Sequence, residues 1–183
     1  MQYVFGITKT GEPKTELSYS GWRLWREDKE KYRDKYYRNL PSHDSPEMTF
    51  GKKIAKILES PEEIAKNPLL QEVPRYTHPE FRLQVEMEGV RLNGFIDSFD
   101  PVSNRFLEYK TGHMKYKGDV PWDSVKVAKH EQLPFYSLMI AEKLGRVERK
   151  CHLVWLETEM ISKEQTFQGQ TFGLTLQEPR LTG

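Results

Sequence analysis

The sequence has almost no cysteine: Cys151 is the single thiol among 183 residues. That excludes a disulfide framework or a cluster held by cysteines of this chain, and it suits a reducing, intracellular setting. No apolar run approaches the roughly 20 residues that a membrane helix needs. Residues Met1 to Thr10 lack the basic start and long apolar core of a secretory leader. The expectation is a cytoplasmic protein with no membrane partner. An excess of one charge is also missing, since 28 basic residues face 27 acidic ones for a net charge of +1. A nucleic-acid coat protein is usually more basic, whereas an acidic site beside a local basic track fits this balance. Internal repeats and low-complexity blocks are absent too. A chain of this length buries a core without crosslinks, so one domain spanning residues 1–183 is expected.

Periodicity supplies the element order. Val4 to Ile7 reads as a short strand. A helix is predicted from about Gly21 to Tyr37, capped by Ser18 or Ser20, because Trp22, Trp25, Lys29, Tyr32 and Tyr36 recur at steps of three and four. Leu40 to Glu47 is a polar loop. A second helix is predicted from Thr49 to Leu58, and Pro61 and Pro68 bracket a third, short one. The period then changes to two. Phe81 to Glu88 and Val90 to Asp97 form strands about a tight Glu88-Gly89 turn. Asp100 to Asn104 is a second turn, and Arg105 to Lys110 a third strand. A long helical segment follows from about Trp122 to Leu144, closed by Gly145 and bent or divided at Pro134. Lys150 to Glu157 is another strand, and Thr166 to Leu176 a weak edge strand or hairpin. Helix, three-stranded meander, helix and strand make an α/β domain with a mixed central sheet flanked by helices.

The chemistry concentrates in Gly94-Phe95-Ile96-Asp97 and Leu107-Glu108-Tyr109-Lys110-Thr111-Gly112. Residues two apart on a strand share a face, so Glu108 and Lys110 project together. A hairpin centred between Val102 and Ser103 sets Asp97 opposite Glu108, with β-carbons about 4.5–5.5 Å apart. Two facing carboxylates repel unless a cation neutralises them. Mg²⁺, which prefers oxygen ligands and keeps several waters, suits Asp97, Glu108 and the backbone carbonyl of Tyr109. Such an ion polarises a phosphate and lowers the pKa of a bound water, and Lys110 is placed to stabilise the developing charge. A solvated surface cluster is the alternative reading of the same three side chains.

These segments, together with Gln132-Leu133-Pro134-Phe135-Tyr136, Leu17-Ser18-Tyr19-Ser20 and Phe50 to Glu59, resemble the PD-(D/E)XK nuclease superfamily and, within it, the RecB-like exonuclease branch. The resemblance runs from about Leu17 to Glu157. It implies a restriction-endonuclease-like core. Asp97 and Glu108 would bind Mg²⁺ or Mn²⁺, Lys110 would be the catalytic lysine, and Gln132 and Tyr136 would support the site or contact DNA. Lys126 and Lys129 are further DNA-binding candidates, as are His113, Lys115 and Lys117 just beyond the third strand. The branch often has a metal-binding histidine where this chain has Ala55, which leaves Glu59, one turn later, as the alternative ligand. Some relatives hold an iron–sulfur cluster through cysteines; Asp28 stands near where the first would fall, so no such cluster is expected.

The aromatics of the first helix, flanked by Arg23, Arg26, Lys31 and Arg33, offer stacking for bases and contacts for phosphates. Burial of the aromatics, with the charges toward water, is the favoured reading. The expected activity is metal-dependent, exonucleolytic DNA hydrolysis in recombination, repair or phage DNA processing, in a bacterial or phage-infected cytoplasm. DNA is the expected partner, with a helicase or recombination protein as a further candidate. A catalytically silent module binding DNA or a protein is the rival, and another phosphate ester a third reading. Relatives in the family often continue beyond the last strand-like segment, after which this chain soon ends, so a fragment or a naturally short form of such a domain is expected.

Overall fold

The structure, a computed structural model, describes residues 3–42, 44–113, 122–145, 150–167 and 170–181. In chain order its elements are β1 (Glu16–Ser18), α1 (Tyr19–Glu27), α2 (Lys29–Tyr36), α3 (Pro46–Leu58), α4 (Pro61–Ala65), α5 (Pro68–Gln71), β2 (His78–Met87), β3 (Val90–Asp100), β4 (Arg105–His113), α6 (Ser124–Ala128), α7 (Gln132–Leu144), β5 (Lys150–Phe167) and β6 (Gln170–Leu181). The sheet is mixed, with strand order β1-β3-β4-β5-β6 and β2 paired to β3. The chain forms two compact units, each assembled from three segments. The first comprises Met1–His43, Tyr76–Phe106 and His130–Cys151; the second comprises Asp44–Arg75, Leu107–Lys129 and His152–Gly183. Among the described residues no helix is long and apolar enough to cross a membrane.

In the first unit β2 and β3 form an antiparallel hairpin, with Met87 opposite Val90. Glu88 and Gly89 both have positive φ, the backbone that lets a two-residue turn follow the twist of its strands. β1 pairs in parallel with β3, Leu17 beside Leu92. Leu83, Ile96, Phe99, Phe106, Met139 and Ile140 are among its fully buried side chains. Gly94 has a steric role here: a β-carbon on it would lie 2.7 Å from Cε1 of Tyr136. A glycine inside a strand marks such a close approach.

The second unit has its own apolar cluster of Ile54, Leu58, Ile64, Leu70 and Val73, with Phe50, Ile57, Tyr109, Val154 and Leu156 packed against it. Ser45 caps α3 by accepting from the Met48 N–H, and Pro46 occupies its first turn, where the missing N–H is harmless. The short helix α4 lies between Pro61 and Pro68, as expected, and Pro68 opens a further one, α5. β5 and β6 pair as a hairpin from Thr158–Leu181 to Phe167–Gln170, longer than the sequence pattern suggests.

Three further departures from the periodicity stand out. The helix expected over 21–37 is two helices, because Asp28 adopts extended backbone. It ends α1 and caps α2, its carboxylate accepting from the Lys31 N–H. Those N–H contacts hold the Asp28 carboxyl below its ordinary range. Val4 to Ile7 is not a strand; Ile7 makes only an isolated bridge to Pro13. The division of the long helical segment falls before Gln132, and Pro134 sits in the first turn of α7. Ser18 is the α1 cap, and Gly145 closes α7 with left-handed backbone, as the sequence predicts.

Two outcomes follow from this packing. Gly94→Ala should lower unfolding stability by about 1–3 kcal/mol through overpacking, measured by urea titration. Tyr32 is buried, donates its hydroxyl to the Phe5 carbonyl at 2.5 Å, and has its phenol pushed up by desolvation to about 12. A pKa raised on folding stabilises below the unfolded value and loses that contribution as pH climbs through the folded one. The Tyr32 contribution to the melting temperature should therefore hold to about pH 10 and decline up to about pH 12; Tyr32→Phe should lack that decline.

Candidate active site

In the second unit, β4 carries the Glu-x-Lys pattern, and its burial is unusual for a charged strand. Glu108 is only 3% exposed, and its neighbour Leu107 is equally buried. A carboxylate so far from water is unfavourable unless neutralised. Lys110 answers this directly, its Nζ donating to Glu108 Oε1 at 2.6 Å while staying partly open to solvent. Strand alternation makes the pairing possible, because residues 108 and 110 leave the same face. Tyr109, from the other face, joins the apolar cluster and donates its hydroxyl to the Pro74 carbonyl at 2.7 Å. The Glu-x-Lys strand is thus anchored through the residue between its two charges.

The same unit brings α3 against this strand. A β-carbon on Gly51 would lie 2.9 Å from Thr111 Oγ1, so only the smallest residue allows this approach. Gly51, Ala55 and Glu59 are four apart and line one stripe of the helix. Ala55 supplies no ligand. Glu59, at the C-cap, is half-buried and meets Lys56 at 3.3 Å. Farther along β4, Trp155 lies over Gly112, where a β-carbon would come within 2.1 Å of its ring, and Trp122 lies 6.4 Å from Trp155 between ring centres.

In the first unit, Asp97 is half-buried on β3 between the buried Ile96 and Ser98. Ser98 Oγ accepts from the Tyr76 N–H at 2.7 Å and ties the preceding loop to the strand. Gln132 and Tyr136, four apart on α7, meet on one face, the Gln132 Nε2 donating to the Tyr136 Oη at 3.2 Å. Tyr136 is buried, seated over Gly94 and edge-on to Phe106. The Gln-x-x-x-Tyr pair is therefore fixed three residues before Asp97 along β3. Gly94 is the residue whose role the sequence reading missed; the signal was a glycine inside an otherwise apolar strand.

The remaining sequence candidates are less defined. Lys126 and Lys129 are exposed, on and just after α6. His113 ends β4, with its side chain outside the described residues; Lys115 and Lys117 lie wholly outside them. Among the described residues, no group of three or more His, Cys, Asp or Glu side chains is arranged to hold a metal. Asp97 and Glu108 are each oxygen donors of the kind that a hard cation takes. Mg²⁺ takes one or two carboxylates and fills its other positions with water and phosphate oxygens.

The mixed sheet with helices around it agrees with the expected core. The sequence profile of the PD-(D/E)XK nuclease superfamily matches residues 15–178, and the chain belongs to that superfamily. Its fold is similar to that of a candidate exonuclease from Eubacterium rectale, with a TM-score of 0.56 at 11% identity, covering 92% of this chain and 73% of that one. Among curated proteins, none matches the sequence.

The Gln132–Tyr136 contact yields a graded outcome. Tyr136→Phe should cost about 1 kcal/mol of stability through the lost hydrogen bond, and Tyr136→Ala about 3–5 kcal/mol through the cavity over Gly94, both read by urea unfolding.

Proposed function

We propose that this chain is a divalent-metal-dependent deoxyribonuclease that hydrolyses phosphodiester bonds from DNA ends. The observation that carries the reading is the buried Glu108 carboxylate held by Lys110 on the strand that bears the superfamily's (D/E)XK pattern. In this reading Asp97, Glu108 and the Tyr109 backbone carbonyl hold Mg²⁺ or Mn²⁺, with Glu59 as a further ligand in place of the histidine that Ala55 replaces. The bound cation would polarise the scissile phosphate and lower the pKa of the attacking water.

The protein's own groups do the rest. Lys110 carries three N–H donors on its ammonium, and the contact with Glu108 fixes its direction. It orients the water and stabilises charge on the phosphorane oxygens. Gln132, braced by Tyr136, positions the strand being cut. Lys126, Lys129, His113 and Lys115 contribute phosphate contacts, which favour binding without reading sequence. Recombination, repair or phage DNA processing is the setting in which end-directed hydrolysis would serve, with a helicase or recombination protein supplying the ends.

Purified protein with Mg²⁺ should degrade linear DNA and leave closed circles intact. Lys110→Ala should abolish degradation and also cost stability, because the buried Glu108 carboxylate loses its partner, whereas Lys110→Gln, which keeps a donor, should be inactive with the circular dichroism spectrum of the parent. Calorimetric titration with Mn²⁺ should give binding to the parent and a marked loss in Asp97→Asn. Full activity in Lys110→Ala, or activity that persists in EDTA, would overturn the mechanism.

A further inference from the structure

The bend at Asp28 leaves the aromatic residues of α1 and α2 in unlike environments. Tyr32 is buried, and Trp22 packs beside Phe135, with ring centres 6.3 Å apart. Trp25 is 49% exposed and Tyr37 40% exposed. Both line two adjoining cavities of about 400 and 320 Å³ within the first unit, and Tyr32 is in the lining of each. The larger is rimmed by Lys29, Arg33 and Arg38. These volumes fall in the range of small-ligand sites.

Charge is concentrated at the same place. Residues 29–38 contain five basic side chains (Lys29, Lys31, Arg33, Lys35 and Arg38) against two acidic ones, Glu30 and Asp34. That surplus of three stands in a chain whose whole net charge is +1. Glu30 and Asp34 orient the rim: Arg33 meets Glu30 at 2.7 Å, and Arg38 meets Glu30 at 2.9 Å and Asp34 at 2.6 Å. Lys29 Nζ lies 5.2 Å from the centre of the Trp25 ring, near enough to favour a π-face and to reach a phosphate beside it. Trp25 and Tyr37 are exposed at one place rather than singly, and a grouped apolar surface is the kind that marks an interaction site. A flat indole interleaved with cations, at the mouth of a cleft, has the chemistry of a platform for unpaired bases.

We propose that the cleft between α1 and α2 binds single-stranded DNA, with one base stacked on Trp25 and flanking phosphates on Lys29, Arg33 and Arg38. The inference rests on the nuclease reading for the nature of the ligand, and it adds a strand-holding site built from residues outside the cleavage machinery. It also gives the enzyme a preference for ends that present an unpaired tail.

The test measures binding apart from cleavage. Fluorescence anisotropy of a short fluorescein-labelled oligothymidylate, in EDTA, should give an affinity for the parent that falls about tenfold in Trp25→Ala, the loss of one stacked base. Trp25→Phe should recover most of it. Lys29→Gln should reduce the salt slope of binding by about one. Blunt duplex should bind Trp25→Ala and the parent alike. Because Trp25 is exposed, its variants should melt with the parent. Equal oligothymidylate affinity in parent and Trp25→Ala would overturn the inference, as would failure of the parent to bind. Mg²⁺-dependent cleavage is scored separately. If cleavage is absent but the Trp25 effect is present, the nuclease reading fails and the strand site stands; cleavage with no Trp25 effect gives the reverse.

Discussion

A carboxylate buried to the degree of Glu108 is unfavourable unless an opposite charge accompanies it, and that requirement organises the second unit. Lys110 meets the need from the same face of β4. Tyr109 is thereby directed to the opposite face, where it closes the apolar cluster around Ile54, Leu58 and Val73. One strand therefore couples a charged pair to a hydrophobic core through simple alternation. Helix α3 approaches that strand only because Gly51 has no side chain to meet Thr111. The site's chemistry and the unit's packing thus share a backbone.

The first unit is held together differently. Asp97 lies on β3, whose other functional neighbour is a steric one: Gly94 admits Tyr136, and Tyr136 receives Gln132. A helix carrying a polar pair is fixed to a strand carrying an acid by the absence of a methyl group. Arg26 reinforces the start of α7 through both carboxylate oxygens of Glu131, at 2.7 and 2.5 Å, and holds that carboxyl below its ordinary range. Aromatic contact between Trp22 and Phe135 joins the same two helices.

Much of this was legible in the sequence. The meander of three strands, the Glu88-Gly89 turn, the Ser18 cap and the Gly145 stop all carry local signals of period, capping or backbone freedom, and the structure contains them. So does the proximity of Glu108 and Lys110, which follows from strand alternation alone. Other features depend on tertiary contacts that a single sequence does not encode locally. Asp28 reads as one polar residue in a helical stretch, yet its carboxylate is better used as a cap, and the helix breaks there. β1 is three residues long and gains its identity only from pairing with β3. The aromatic face of the first helix was expected to be buried; Tyr32 is, but Trp25 is exposed.

That break has a geometric consequence. Trp25 stands one residue pair short of the elbow on α1, while Tyr32 and Tyr37 stand beyond it, so Asp28 acts as the hinge pin of the cleft. Each residue of a helix advances the azimuth by about 100°. Inserting or deleting a single residue within α1 between Trp25 and the elbow would swing the indole through more than a quarter turn away from Tyr32 and Tyr37. The spacing from Trp25 to the elbow is therefore a ruler as well as a sequence.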